Sequence, residues 1–340
     1  SRDDRTLFFS GTGNILYRLA IDPVQGTATE QAPEVVLSLP GEFDGISIAR
    51  NGLLAYGLAT NDTNLWTIDL APGGEAREPA RLTDDAAGRT TRPDYSPDGR
   101  RLTFSQSGSR GEGVPWVMNA DGSGRSPLIT EGGGAGNTSW APDGARVLVQ
   151  RDTPEGRTMW WLDLATRGLT PLELVKNARN PRLSPDGREI AYWMIEANGS
   201  MNTWTQALDG GSPRRVTADA ESINYPAWSP DGRWLAVGIK RGKDTHVGVV
   251  SKNGGPVEQI THEAGLSGAN SWAPDGDQIA FVGLRNGVWN VWAVSRRTHV
   301  SRQLTHFVAP SDYVLYPSWS PDGRRIAFER GIRRGSVWTV

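Results

Sequence analysis

Short strand-like runs recur along this chain at a near-constant interval. Arg101-Leu102-Thr103-Phe104, Glu189-Ile190-Ala191-Tyr192, Gln278-Ile279-Ala280-Phe281 and Arg325-Ile326-Ala327-Phe328 are four of them. Alternation over such a run puts every second side chain on one face, which predicts a strand. A large apolar residue stands a few positions earlier each time: Ile48, Tyr95, Trp140, Leu183, Trp228, Trp272 and Trp319. Further on comes a second aromatic: Tyr17, Trp66, Trp116, Trp161, Trp204, Trp292 and Trp338, with only the repeat at Gly248-Val249 lacking it. A last short strand ends in Leu82-Thr83, Val216-Thr217, Ile260-Thr261 or Leu304-Thr305. The unit therefore reads as four short strands, a to d. No apolar period of 3.6 is sustained, so almost no helix is expected.

The corner between strands a and b is a tetrapeptide. It reads Ser96-Pro97-Asp98-Gly99, Ala141-Pro142-Asp143-Gly144, Ser184-Pro185-Asp186-Gly187, Ser229-Pro230-Asp231-Gly232, Ala273-Pro274-Asp275-Gly276 and Ser320-Pro321-Asp322-Gly323. Proline presets φ at the second turn position, aspartate bonds its own backbone, and glycine accepts positive φ. Two degenerate corners, at residues 49–52 and 1–4, extend the series upstream.

One four-stranded antiparallel sheet cannot bury both of its faces, whereas sheets stacked radially can. The prediction is an all-β chain: a β-propeller of four-stranded antiparallel blades. Eight corners predict eight blades in a single domain over residues 1–340. The first repeat lacks strand a, and the last lacks strand d and stops within strand c. Seven blades, the alternative, would leave residues 6–21 outside the ring. The missing pieces suggest a fragment of a longer protein, or a seam closed in a way the sequence does not display. The periodic tryptophans are expected to fill the wedges between neighbouring sheets.

The stretches Pro226–Val237 and Pro317–Phe328 follow the pattern Pro-x-Trp-Ser-Pro-Asp-Gly-Arg-x-Ile-Ala-Phe almost residue by residue. In this the chain resembles the TolB-type, or PD40, family of WD40-like propeller repeats, over nearly its whole length. The resemblance implies the fold. For function it implies several settings: a periplasmic protein that contacts partner proteins, the sensor-like tail of bacterial kinases and winged-helix regulators, and the gating domain of prolyl-oligopeptidase-like peptidases.

Composition narrows the field. The formal net charge is −2 and charged residues make up 22% of the chain, without the basic stripe that a nucleic-acid partner demands. There is no cysteine, which excludes disulfides and thiolate-held zinc. No stretch of 18 apolar residues occurs, so no membrane insertion is expected. A cysteine-free chain suits an oxidising compartment. Together with the resemblance this gives a periplasmic or extracytoplasmic expectation, with the cytoplasm left open.

No catalytic motif emerges. Gly265-Leu266-Ser267-Gly268-Ala269 fails the last position of a nucleophile elbow. His246, His262, His299 and His306 show no metal-ligand spacing within one element and are expected at the outer rim, unlike the histidines of propeller-shaped oligogalacturonate lyases. The acidic loops at residues 61–64 and 121–123 lack the distant glutamate of an EF-hand. The glycines at residues 132–136 are not followed by a phosphate-binding helix start. No cofactor is expected.

Binding is expected where the repeats differ, on the d–a and b–c loops at one end of the channel. About four residues before each corner lies a polar or tyrosyl position: Arg92, Asn137, Asn180, Asn224, Tyr225, Asn270 and Tyr316. Such a ring at a channel mouth suits a peptide or a small polar ligand. The plainer reading is that these residues cap strand ends and bind water. The loop from His306 to Tyr316 carries Phe307 and Tyr313, which would contact a partner if exposed. The leading expectation is a non-enzymatic binding or scaffold module for a protein or peptide. The alternatives are a propeller-fold lyase or the accessory domain of a hydrolase, and the sensor domain of a bacterial kinase or transcriptional regulator.

Overall fold

The structure, a computed structural model, describes residues 5–11, 15–30, 32–38, 42–48, 53–85, 89–107, 113–129, 136–154, 156–174, 176–218 and 222–339. They form strands and turns without an α-helix. The strands are, in order, β1 (Thr6–Gly11), β2 (Ile15–Ala20), β3 (Glu34–Ser38), β4 (Glu42–Ile48), β5 (Leu54–Asp69) and β6 (Ala80–Arg81). Next come β7 (Arg89–Tyr95), β8 (Arg101–Ser107), β9 (Gly113–Asn119), β10 (Ser126–Pro127), β11 (Thr138–Trp140), β12 (Arg146–Thr153), β13 (Gly156–Asp163) and β14 (Leu169–Leu172). They are followed by β15 (Arg179–Leu183), β16 (Glu189–Ile195), β17 (Met201–Ala207), β18 (Arg214–Arg215), β19 (Ser222–Trp228), β20 (Trp234–Arg241), β21 (Asp244–Ser251) and β22 (Glu258–Gln259). The last are β23 (Leu266–Trp272), β24 (Gln278–Arg285), β25 (Val288–Ser295), β26 (Ser301–Gln303), β27 (Asp312–Trp319) and β28 (Arg325–Thr339).

Four sheets hold four strands each, in the simple order β11 to β14, β15 to β18, β19 to β22 and β23 to β26. A nine-stranded sheet contains two more sets of four. One is β7 to β10. The other joins the two ends of the chain, running β27, β28, β5, β6. A single parallel bridge, Thr63 with Arg89, makes these two sets one sheet. The first strands neighbour one another in sequence, β7 with β11, β15, β19, β23 and β27 in turn, and β27 lies back against β7.

Among the described residues the strands do not divide into eight separate four-stranded sheets. The corners proposed at residues 1–4 and 49–52 lie outside the described residues. Residues 6–38 make a three-stranded sheet, and β4 pairs with the front of β5. The last repeat does not turn into a strand c. Residues 325–339 are one continuous strand, antiparallel to β5 from Arg325 opposite Asp69 to Thr339 opposite Ala55. The missing outer strands of the last unit are supplied by the N-terminal part of the chain.

The corners fold as their residues dictate. In the Ser96 corner the Gly99 amide donates to the Ser96 carbonyl (2.8 Å), and the Ser96 hydroxyl bonds Asp98 and accepts from the Arg101 amide. Gly99 has φ +70°, a left-handed value that costs glycine little. The same bonds recur at Ser184, Ser229 and Ser320.

The core lies between sheets. Val247, Val249 and Ile260 of one sheet pack against Trp272, Ile279 and Phe281 of the next. Trp140, Trp228 and Trp272, each buried, donate their indole N–H to the Asp94, Arg182 and Ala227 carbonyls of the preceding first strand, at 2.9 to 3.0 Å. Full burial of one such large side chain stabilises by roughly 1.5–3 kcal/mol. These tryptophans are wedges, as their period suggested.

A second repeating device ties on three of the outer strands, β6, β18 and β26. The hydroxyls of Thr83, Thr217 and Thr305 accept from the amides of Leu65, Thr203 and Val291 and donate to the side chains of Asn64, Asn202 and Asn290. His246 holds the asparagine position in β21. It is buried rather than at the surface, and burial pushes its imidazole below the usual range.

Candidate functional site

Each first strand must break its ladder where it meets a proline or its equivalent, because proline has no N–H to donate. The registers shift between Thr91 and Asp94, Arg179 and Arg182, Ile223 and Ala227, and Leu315 and Ser318. The residue before the proline takes up the slack. Arg92, Asn180, Tyr225 and Tyr316 have φ of 60°, 47°, 84° and 50°. Left-handed backbone at a bulky residue costs of order 1–3 kcal/mol, and here it is incurred four times at equivalent places.

Five of the seven residues expected at the channel come together. Arg92 Nη1 donates to the amide oxygens of Asn137 and Asn180, the latter at 2.9 Å. Its guanidinium lies 4.6 Å from the centre of the Tyr316 ring, and Tyr225 meets Tyr316 edge-on at 5.7 Å. Asn137 is oriented from behind, donating to Gln150 at 2.7 Å. The side chains of Asn224 and Asn270 lie outside the described residues. The five do not line an open mouth. They bond to one another and plug the channel.

The plug separates three spaces. On the loop side, a pocket of about 190 Å³ is lined by Tyr225, Leu266, Val282, Trp289, Leu315 and Tyr316. Within the plug, a space of about 20 Å³ touches Arg92, Asn137, Thr138, Asn180, Arg182 and both tyrosines. On the corner side, a vestibule of about 450 Å³ is walled by Trp140, Trp228, Trp272, Asp94, Arg182 and corner prolines. Shared residues show the order: Arg182 faces both the vestibule and the small space, and the tyrosines face both the small space and the loop-side pocket.

Charge around the plug is arranged in pairs. Asp94 accepts from Arg182 at 3.1 Å, and Glu329, fully buried, accepts from Arg89 at 2.8 Å and from the Thr91 hydroxyl. Burial pushes both carboxyls above their usual range despite these partners. Burial also raises the Tyr316 phenol, so it stays protonated near neutrality.

Sequence reasoning overlooked Arg182 and Asp94. The signal was present: both sit two residues before their corner serine, with opposite charge. It also overlooked Leu266, Trp289 and Leu315, which only the packing of adjacent sheets unites. Phe307 and Tyr313 point inward. Phe307 packs under Arg330, 4.0 Å from its ring centre, and the Tyr313 hydroxyl bonds Thr63 at 2.7 Å.

With the site described, the relatives can be placed. Residues 175–336 match the family model described as the TolB beta propeller domain, PD40. Those residues, just under half of the chain, carry the PD40 repeat pattern. A Tol-Pal system protein TolB from Anaeromyxobacter dehalogenans (strain 2CP-C) is 30% identical over 122 residues, 35% of this chain and 28% of that protein. The chain thus spans little more than a quarter of the curated relatives matched first. A putative TolB of known structure from Agrobacterium tumefaciens superposes with a TM-score of 0.64 at 21% identity, covering 80% of this chain and 99% of that one. An oligogalacturonate lyase in complex with manganese superposes with a TM-score of 0.51 at 16% identity, over 84% of this chain and 77% of that one. These likenesses to solved structures show the propeller fold alone.

Proposed function

We propose that this chain is a single six-unit propeller that binds, rather than transforms, a segment of a partner protein at the loop end of its channel. The neighbour order of the first strands, with β27 against β7, supports six units. The N-terminal sheet packs onto β5 through Leu16, Leu54 and Tyr56, which supports one domain.

The observation that carries the binding reading is the loop-side pocket. It is apolar, closed beneath by Tyr225 and Tyr316, and walled by Leu266, Trp289 and Leu315. A pocket of that size takes one apolar side chain, and an aromatic anchor pocket is how a loop face gains affinity. The Tol-Pal name of the relatives supports a protein partner and an extracytoplasmic location.

Random-peptide display against the purified protein tests this. Selected peptides should carry an apolar anchor and lose at least about tenfold in affinity on Leu315→Arg or Trp289→Ala, the cost of one lost hot-spot contact. Peptides whose binding ignores both changes would place the site elsewhere.

A further inference from the structure

We propose that the small space inside the plug is a carboxylate site, filled by an acid group carried on the same apolar ligand. This rests on the loop-side reading of the channel. Three neighbouring arginines show by contrast what Arg92 lacks. Arg89 is paired with Glu329 at 2.8 Å, Arg182 with Asp94 at 3.1 Å, and Arg330 with Asp312 at 2.6 Å. Arg92 hydrogen-bonds and stacks only with neutral groups, two amide oxygens and the face of Tyr316, and senses the Glu329 carboxylate without bonding it. Both hydrogen bonds leave from Nη1. Nε and Nη2 have no acceptor among the described residues, although a guanidinium carries five N–H donors in a fork shaped for a carboxylate.

The charge count agrees. Arg89, Arg92 and Arg182 face Glu329 and Asp94, three cations against two carboxylates, and one positive charge is unbalanced beside a protein-lined space. A half-buried cation with free N–H donors and no carboxylate bonded to it is placed to pair with an incoming anion. The space, about 20 Å³, holds one water-sized group. It admits a carboxylate oxygen more readily than a tetrahedral phosphate. Tyr225 and Tyr316 form the wall between this space and the apolar pocket, so a ligand that turns these rings aside places an acid and an apolar group a few bonds apart in both. Two sources offer that chemistry: the free carboxyl end of a peptide closing in an apolar residue, or a small branched-chain carboxylic acid.

The probes are 4-methylpentanoate, its neutral isostere 4-methylpentanamide, and a leucine-terminated peptide with a free or amidated end, titrated calorimetrically into the wild type and Arg92→Gln. The free acid forms should bind at least about tenfold tighter than the amides, the discrimination a charged hydrogen bond supplies. Arg92→Gln should erase that preference while leaving amide binding in place. If the peptide is the tighter acid, the source is a chain terminus; if the isolated acid is, it is a free carboxylate. Equal binding of acids and amides by the wild type overturns the carboxylate site but leaves the apolar pocket standing. Absence of binding by all four probes overturns the carboxylate site too. The pocket then fails only if the display peptides also ignore Leu315→Arg. Should Arg92→Gln not fold, the acid–amide comparison in the wild type decides alone.

Discussion

At the level of single residues, the corners show how far local chemistry reaches. Serine, proline, aspartate and glycine fix a turn without help from the rest of the chain, and so they were legible in the sequence. Their aspartates carry a consequence for pH. Asp98, Asp186 and Asp322 are held below the usual carboxylate range, first by the neighbouring serine hydroxyl and then by a backbone amide. At Asp231 burial opposes the charge, but the Ser229 hydroxyl, the Arg233 amide and the Arg233 guanidinium outweigh it and bring the pKa to about 2. A carboxyl with a lowered folded pKa stabilises fully above its unfolded value of about 3.9, and that stabilisation is lost as pH falls through the folded value. Glu329 and Asp94 run the other way. Burial raises them, so their contribution is present below the ordinary value and lost as pH rises through the folded one. The buried pair acts above about pH 4 and the corners below it, so the urea midpoint should fall steadily between about pH 4 and pH 2. Asp231→Asn should flatten that slope, and an unchanged slope would count against the corner bonds. The arginine at the plug was also legible, as one of a series of polar positions. That the series would bond to itself was not, because no periodicity reports which side chains meet across an axis.

At the scale of strands, the sequence led to one wrong continuation. Trp338 stands at the spacing of a strand-c aromatic, yet it belongs to the strand that began at Arg325. Pairing decides this, not propensity: β28 runs on to Thr339 because β5 offers it a partner the whole way. That partner is some 270 residues distant in the chain, and pattern reading along the sequence has no access to it. Gly331 is the residue that makes the pairing fit. A methyl group there would overlap the Tyr313 ring, which lies over it and bonds Thr63. Gly331→Ala should therefore cost about 1–3 kcal/mol, the usual penalty of overpacking. The cost should shrink in a Tyr313→Ala background, where the ring is gone, and a double-mutant cycle by urea unfolding reads the coupling. Additive effects would mean that the ring and the glycine do not share a space.

At the scale of the whole molecule, the plug reaches across the seam. Arg92 comes from β7 and Tyr316 from β27, so their contact joins the first and last units, while the pocket above is walled chiefly by β23, β24, β25 and β27. The same seam is bound by Glu329 of β28, which accepts from Arg89 and Thr91 of β7. In the proposed six-unit ring, contacts of this kind would tie the ends of the repeat array together and leave only short outer edges. The sequence hinted at it only through what its terminal repeats lacked. A disulfide reads it directly, since the chain has no cysteine of its own. Asp69 and Arg325 face each other across β5 and β28, joined at 2.6 Å and partly exposed. In the double variant Asp69→Cys, Arg325→Cys, mild oxidation of the native protein should form one intramolecular disulfide in high yield, seen by mass and by mobility on a non-reducing gel, and oxidation in urea should not. Thiols that stay free in the native protein, or that link only between molecules, would contradict closure of the ring and the Arg92–Tyr316 contact built upon it.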